Sequence, residues 1–181
     1  MTVLEAINYR TRYRGNYESA EIPRDDLIKI MQAGLAAPFG CNKQTTSLIA
    51  VDAPELLSEL REIITGLRRP TKAETAPAII CVLTQKICAV QDRYVNVQDY
   101  AAAIENMLLA IVSLGYQSCW IEGDITDTDA LGRKMTDILG VPIDYELVCI
   151  LPVGVAMESI KNVNKKSFEE RTWFNGFKKV V

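Results

Sequence analysis

The sequence predicts a single domain of mixed helix and strand, with the two kinds of element alternating along the chain. Short apolar runs at residues 47–51, 77–83, 118–121 and 147–153 have the length and composition of strands. Between them lie stretches whose apolar residues recur at three- and four-residue spacing, as amphipathic helices require. The 181 residues suit one domain, and a composition of 49% hydrophobic and 24% charged residues supplies a sizeable core.

The elements follow in order. Residues 3–9 read as a short helix, and residues 10–16, polar and aromatic, read as extended. Pro23 can open a second helix carrying Leu27, Ile30, Met31 and Leu35, which must end before Pro38 and Gly40. After the strand at 47–51, Pro54 opens a helix with Leu56, Leu57, Leu60, Ile63 and Ile64 on its buried face, followed by a basic linker at 68–72. The run at 77–83 is a buried strand. Residues 97–114 form the clearest helix, with Gly115 where a C-terminal cap belongs. Its apolar residues wrap nearly all round, so it is expected at the centre of the fold or of a subunit interface. Thr126 or Asp127 can cap a helix with Leu131, Met135 and Ile138, ended by Gly140. The strand at 147–153 precedes a tail with Trp173, Phe174 and Phe177, which are expected to pack on a partner, the alternative being that they fold back on their own subunit.

Charge and composition narrow the function. The formal net charge of −3 gives no reason to expect nucleic acid or an acidic membrane surface as partner. The longest apolar stretch, 107–114, is too short to span a bilayer, and no signal peptide is expected. There are no histidines, which removes imidazole-based nucleophilic triads and imidazole metal sites. Cys41, Cys81, Cys88, Cys119 and Cys149 form no CxxC pair, which fits a reducing, cytoplasmic setting. No metal site is expected.

Three constellations could carry chemistry. Arg10, Arg12 and Arg14 are spaced by two, so in an extended segment their guanidinium groups face one side and suit a phosphate. The alternative is a solvated basic edge. Lys161, Lys165 and Lys166 form a second basic cluster that could meet the first around an anion. The loop Ala37-Pro38-Phe39-Gly40-Cys41-Asn42-Lys43-Gln44 makes a sharp turn with two amides, or is only a polar connection. Ser118-Cys119-Trp120-Ile121-Glu122-Gly123-Asp124 runs a strand into a glycine turn, where backbone can approach a flat ligand, or is simply a strand end with an acid. Alternating strands and helices ordinarily build a doubly wound parallel sheet that grips dinucleotides by a glycine-rich turn. No G-x-G-x-x-G or Walker loop occurs, so any nucleotide phosphate must be held by side chains.

In this order the segments resemble the nitroreductase family of FMN enzymes. Ala6 and Arg10-Thr11-Arg12-Tyr13-Arg14 are similar to its opening helix and arginine-x-serine-x-basic signature. Residues 36–44 resemble its "AAPSxxNxQ" loop. Asp99, Ala102, Ala103 and Asn106 with Gly115 resemble its central helix, and residues 120–123 its flavin-facing turn. Leu139-Gly140-Val141-Pro142, Leu151-Pro152-Val153-Gly154 and Lys165-Lys166-Ser167 match its closing pattern.

The resemblance implies an α+β fold: a three-layer α/β/α sandwich around a mixed, mainly antiparallel sheet. It implies one domain over residues 1–181, with a C-terminal extension from about residue 155 packing on the second subunit of a homodimer with interlocked tails. Arg10, Arg12 and Lys165 would hold the FMN phosphate, with Thr11 also at the cofactor. Arg14, with Lys72, would sit near the flavin pyrimidine. Pro38, Phe39 and Asn42 would reach the flavin held mainly by the other subunit, and Glu122 and Gly123 would lie against its central ring. No side chain would be catalytic: flavin N5 would carry hydride from NAD(P)H to an electron-poor acceptor, a nitroaromatic or quinone, in ping-pong order. Phe39, Arg12 and Thr45-Thr46 depart from the family pattern, and residues 86–96 are the only long candidate lid. Reductive dehalogenation, flavin fragmentation and non-catalytic flavin binding stay open as alternatives.

Overall fold

The protein is seen here as a computed structural model, which describes residues 1–68, 71–123, 125, 130–160 and 163–177. Its centre is an antiparallel sheet in the order β1-β2-β5, formed by Thr46–Val51, Ala78–Thr84 and Glu146–Val153. Every residue of β2 is buried, and its side chains alternate between two cores. Ala78, Ile80 and Val82 pack with Leu27, Ile30, Ile104, Met107 and Ile111 on one face. Ile79, Cys81 and Leu83 pack with Leu57, Leu60, Ile64 and Met135 on the other. A strand covered on both faces reads as a continuous apolar run, which is why residues 77–83 show no polar alternation.

One face is covered by α2 (Arg24–Leu35) and α4 (Asn96–Ser113), the other by α3 (Pro54–Ile64) and α5 (Ala130–Ile138). The result is the three-layer α/β/α sandwich, and its pairings are antiparallel rather than those of a doubly wound sheet. Helices α2 and α4 cross closely at Gly34, where a Cβ would lie 2.7 Å from Met107 Cγ. Asn106 Nδ2 donates to Ala33 O at 3.1 Å across the same crossing. On α3, Leu57, Leu60, Ile63 and Ile64 are buried but Leu56 lies at the rim, 36% exposed, so the expected apolar face is one residue too wide.

Helix α4 corrects a second expectation within one chain. Its buried residues, from Asn96 and Asp99 to Ile111 and Val112, form a single stripe. Val97 stays exposed, and Ala101, Ala102, Leu109 and Ala110 are only half-buried.

The stretch at 118–121 is not a full strand. It meets the edge of β5 only by single antiparallel bridges, Gln117–Gly154 just before it and Ile121–Ile150 at its end. That register puts Cys119 opposite Pro152, which has no N–H to donate, so the ladder is broken between the bridges. Residues 86–96 contain a hairpin of β3 (Cys88–Val90) and β4 (Arg93–Tyr94). Its two-residue turn, Gln91-Asp92, has φ of 47° and 60°. Two left-handed central residues match the twist of the flanking strands. Lys161, Thr126, Asp127 and Asp124 lie outside the described residues.

Candidate active site

The extended segment after α1 (Val3–Tyr9) alternates as its sequence requires. Thr11 and Tyr13 are buried, while Arg12 and Arg14 are exposed and Arg10 is half-buried. Tyr13 fixes the register: its backbone N–H donates to Ser118 O at 2.9 Å. Its hydroxyl donates to Glu158 Oε2 and accepts from the backbone N–H groups of Met157 and Glu158 at 3.1 and 3.2 Å. Tyr13 and Tyr17 rings meet edge-on with centroids 5.0 Å apart. The arginines therefore project from a backbone anchored on its inward side.

These side chains line a row of three adjoining clefts. The first, about 500 Å³, is lined by Arg10, Thr11, Arg12, Val163 and Lys165. The second, about 550 Å³, shares Arg12 and Val163 and continues to Arg14 and Glu158. The third, about 420 Å³, shares Arg14 and ends on Thr71, Trp120, Ile121, Glu122 and Gly123. Cations from both ends of the chain thus meet at one end of a groove whose other end is a glycine turn. At Gly123 an added Cβ would find no atom of the described residues within 4 Å, so among them the turn faces open space.

The electrostatics follow from these placements. Arg10 Nε lies 3.1 Å from Glu105 Oε1 on α4, an ion pair off the hydrogen-bond line. Burial pushes the Cys119 thiol above its ordinary pKa, opposed by the neighbouring guanidinium groups of Arg14 and Arg12. Burial likewise raises the Tyr100 phenol, and the negative charge of Glu122 adds to it. Lys72 pairs with Glu74 at 3.8 Å and is mostly exposed, while its neighbour Thr71 lines the third cleft.

Pro38, Phe39 and Asn42 line none of these three clefts. They belong to a loop at the N-terminus of α4, with a 3₁₀ turn at Gly40–Asn42. Gly40 N–H donates to Asp99 Oδ1 and Thr45 Oγ1 donates to Asp99 Oδ2, both at 2.8 Å. Between these anchors Cys41, Asn42 and Gln44 adopt φ of 48°, 53° and 50°. The sequence marks Asp99 only within the central-helix resemblance and Trp120 only within the run into the glycine turn, with no role for either side chain. Asp99 stands at a buried helix position, where an acid needs partners from elsewhere in the chain. Trp120 Nε1, at the cleft, is buried with no hydrogen-bond partner among the described residues.

Comparison with known proteins places this geometry. The profile of the Nitroreductase family matches residues 7–155. A protein of Archaeoglobus fulgidus that carries the provisional name NADH dehydrogenase/NAD(P)H nitroreductase is 28% identical over 139 residues, 76% of each chain. The crystal structure of a nitroreductase with bound FMN from Bacteroides fragilis superposes with a TM-score of 0.77 at 29% identity, covering 96% of this chain and 98% of that one. An FMN-dependent nitroreductase from Clostridium difficile gives a TM-score of 0.75 at 27% identity, covering 93% and 97%. With its sandwich, its arginine-lined groove and a match that spans most of its length, the chain belongs to the nitroreductase family, a family of FMN-dependent oxidoreductases.

Proposed function

We propose that the groove holds FMN and that the protein moves hydride from NAD(P)H to an electron-poor acceptor. The carrying observation is the meeting of Arg10, Arg12 and Lys165 at one cleft, joined through Arg12 and Arg14 to the cleft at Glu122 and Gly123. The residues present fit the cofactor. Guanidinium and ammonium groups suit a dianionic phosphate, in forked and point-charge geometry respectively. Gly123 leaves open the space that any side chain would take, which suits a flat ring.

In this arrangement Arg10, Thr11, Arg12 and Lys165 hold the phosphate, and Glu105 orients Arg10 from α4. Arg14 brings fixed positive charge to the ring end of the groove, with Thr71 and Lys72 on the loop beside it. Fixed charge of that sign stabilises electron density gathered during reduction without reorganising at the moment of reaction. Gly123 would offer its backbone N–H to the face of a bound ring. FMN held there would supply hydride transfer between NAD(P)H and a nitroaromatic or quinone, in ping-pong order. No side chain acts as nucleophile, so the lack of histidine is no obstacle.

The functional unit is a homodimer. The apolar residues Val3 and Leu4 of α1 are each 71% exposed, the outer face of α4 is half-open, and the tail aromatics lie uncovered. A second copy of the chain would cover these surfaces and bring its own Pro38, Phe39 and Asn42 to the cofactor.

The test is the visible spectrum of protein purified with FMN. A retained flavin band that bleaches anaerobically with NAD(P)H and returns on adding a nitroaromatic or quinone is expected. A protein that FMN neither colours nor stabilises would refute the proposal.

A further inference from the structure

We infer that Asp99 is a positioning residue for the cofactor, acting through the Phe39–Asn42 loop; this rests on the FMN reading above. The carboxylate is 2% exposed and ties together the two ends of the loop, Gly40 and Thr45. A buried carboxylate is costly unless its oxygens are satisfied. Here Oδ1 accepts from a backbone N–H, Oδ2 accepts from a hydroxyl, and the first turn of α4 presents its positive dipole end to the group.

What Asp99 holds is a strained conformation. Left-handed backbone is unfavourable for residues with a Cβ, and three of the four residues between the anchors adopt it. Such a segment persists only where surrounding contacts over-determine it. Cys41, Asn42, Lys43 and Gln44 are all exposed, and the loop's own backbone bonds run from Asn42 N–H to Phe39 O and from Lys43 N–H to Gly40 O, so the side-chain bonds that tie it to α4, those of Asp99, lie at its ends. Gly40 presses against α4: a Cβ there would sit 2.2 Å from Val95 Cγ2. Glycine is therefore required for the loop to come within reach of Asp99. The clamp sets the height of Asn42 above α4, the helix whose outer face is left open for the second subunit.

A purely structural role and a positioning role differ in how they couple. FMN affinity is measured by fluorescence titration for Asp99→Ala, Asp99→Asn, Asn42→Ala and Arg10→Ala, and for the doubles of Asp99→Ala with the last two. Asp99→Ala is expected to weaken FMN binding by about tenfold, the effect of losing a pair of charge-assisted bonds that fix a ligand-facing loop. Asp99→Asn should restore affinity to within about threefold, because its carbonyl still accepts from Gly40 and its amide donates to the Thr45 hydroxyl. With Asn42→Ala already present, Asp99→Ala should have little further effect, whereas with Arg10→Ala the two effects should multiply. Multiplication in both backgrounds, or unchanged affinity in Asp99→Ala, overturns the positioning role. Should Asp99→Ala fail to fold, Thr45→Val removes one of the two bonds, and unchanged FMN affinity there overturns it as well. A wild-type protein that does not bind FMN instead brings down the FMN reading itself.

Discussion

Tyr13 and Glu158, 145 residues apart in sequence, meet through a phenol hydroxyl that donates to the carboxylate. Gly15 makes room for the contact, since a Cβ there would collide with Glu158 Oε2. Asn16 Nδ2 donates to the other carboxylate oxygen at 2.7 Å. The bonds join the arginine-bearing segment to the chain leaving β5, and so brace the wall of the second cleft.

Stability should therefore depend on pH through Glu158. The hydrogen bonds from Tyr13 and Asn16 hold its carboxyl below the ordinary value of 4.5. A depressed folded-state pKa contributes stability that is present above the unfolded value and is lost as pH falls through the folded one. Glu158→Gln is accordingly expected to cost stability at neutral pH and to cost progressively less as pH drops below about 4.5. Urea titrations across that range read the difference; a gap that does not narrow in acid would remove Glu158 from the brace. Tyr13→Phe should cost about 1–3 kcal/mol, because it strips the backbone N–H groups of Met157 and Glu158 of their acceptor.

Arg10→Ala should weaken FMN binding by about 1.5–3 kcal/mol, the range for a charge-assisted bond. Lys165→Ala should act in the same direction, and both effects should shrink at high salt because the groove is open to solvent. Fluorescence titration at two ionic strengths checks this, and unaltered affinity in Arg10→Ala would exclude the phosphate role.

Much of the fold was readable because it rests on local rules. The all-buried strand β2 appears as an uninterrupted apolar run, and Pro54 and Gly140 mark helix ends where they stand. The arginine spacing was readable too, since an extended chain alternates strictly. The turn of the β3–β4 hairpin was hidden because Gln91-Asp92 carries no glycine or asparagine to advertise left-handed backbone. The break at Cys119 was hidden because it depends on Pro152 in a distant strand. The bonds of Asp99 to Gly40 and Thr45 and the Tyr13–Glu158 contact were hidden for the same reason: each depends on a partner dozens of residues away, which no local pattern encodes.

The five thiols should split by burial. Cys41 and Cys88 are exposed, while Cys81, Cys119 and Cys149 are buried. Reaction with a disulfide reagent needs an accessible thiolate. Burial pushes the Cys81 thiol up to about 12 and raises Cys149 well above its ordinary value. The native dimer should titrate Cys88 quickly with an aromatic disulfide reagent, Cys41 only as fast as the partner leaves its loop open, and the rest only in denaturant. Fast reaction of Cys81 or Cys149 would mean that the core around β2 opens.

Removal of the chain from Trp173 onward should loosen the dimer. Trp173, Phe174 and Phe177 are 37%, 77% and 75% exposed in one chain, and the rings of Trp173 and Phe177 lie tilted against each other, with centroids 4.1 Å apart. Exposed aromatic clusters of this kind mark protein contacts. Sedimentation of the truncated and full chains reads the outcome; an unchanged mass at all concentrations would assign the tail elsewhere.

Gly123→Val should separate cofactor binding from folding. An added Cβ at this turn meets no atom of the described residues within 4 Å, so the substitution introduces no clash with them. The turn lines the cleft with Arg14, Trp120 and Glu122, so the new side chain would project where a flat ring must lie. Surface substitutions without a packing, capping or polar defect usually change stability by no more than about 0.5 kcal/mol. Thermal unfolding without FMN should therefore match the parent, while FMN affinity falls by about tenfold or more, since overlapping a ring costs at least the 1–3 kcal/mol of an overpacked core. A variant that binds FMN as the parent does would show that the ring lies elsewhere along the groove, even if the arginines still hold its phosphate.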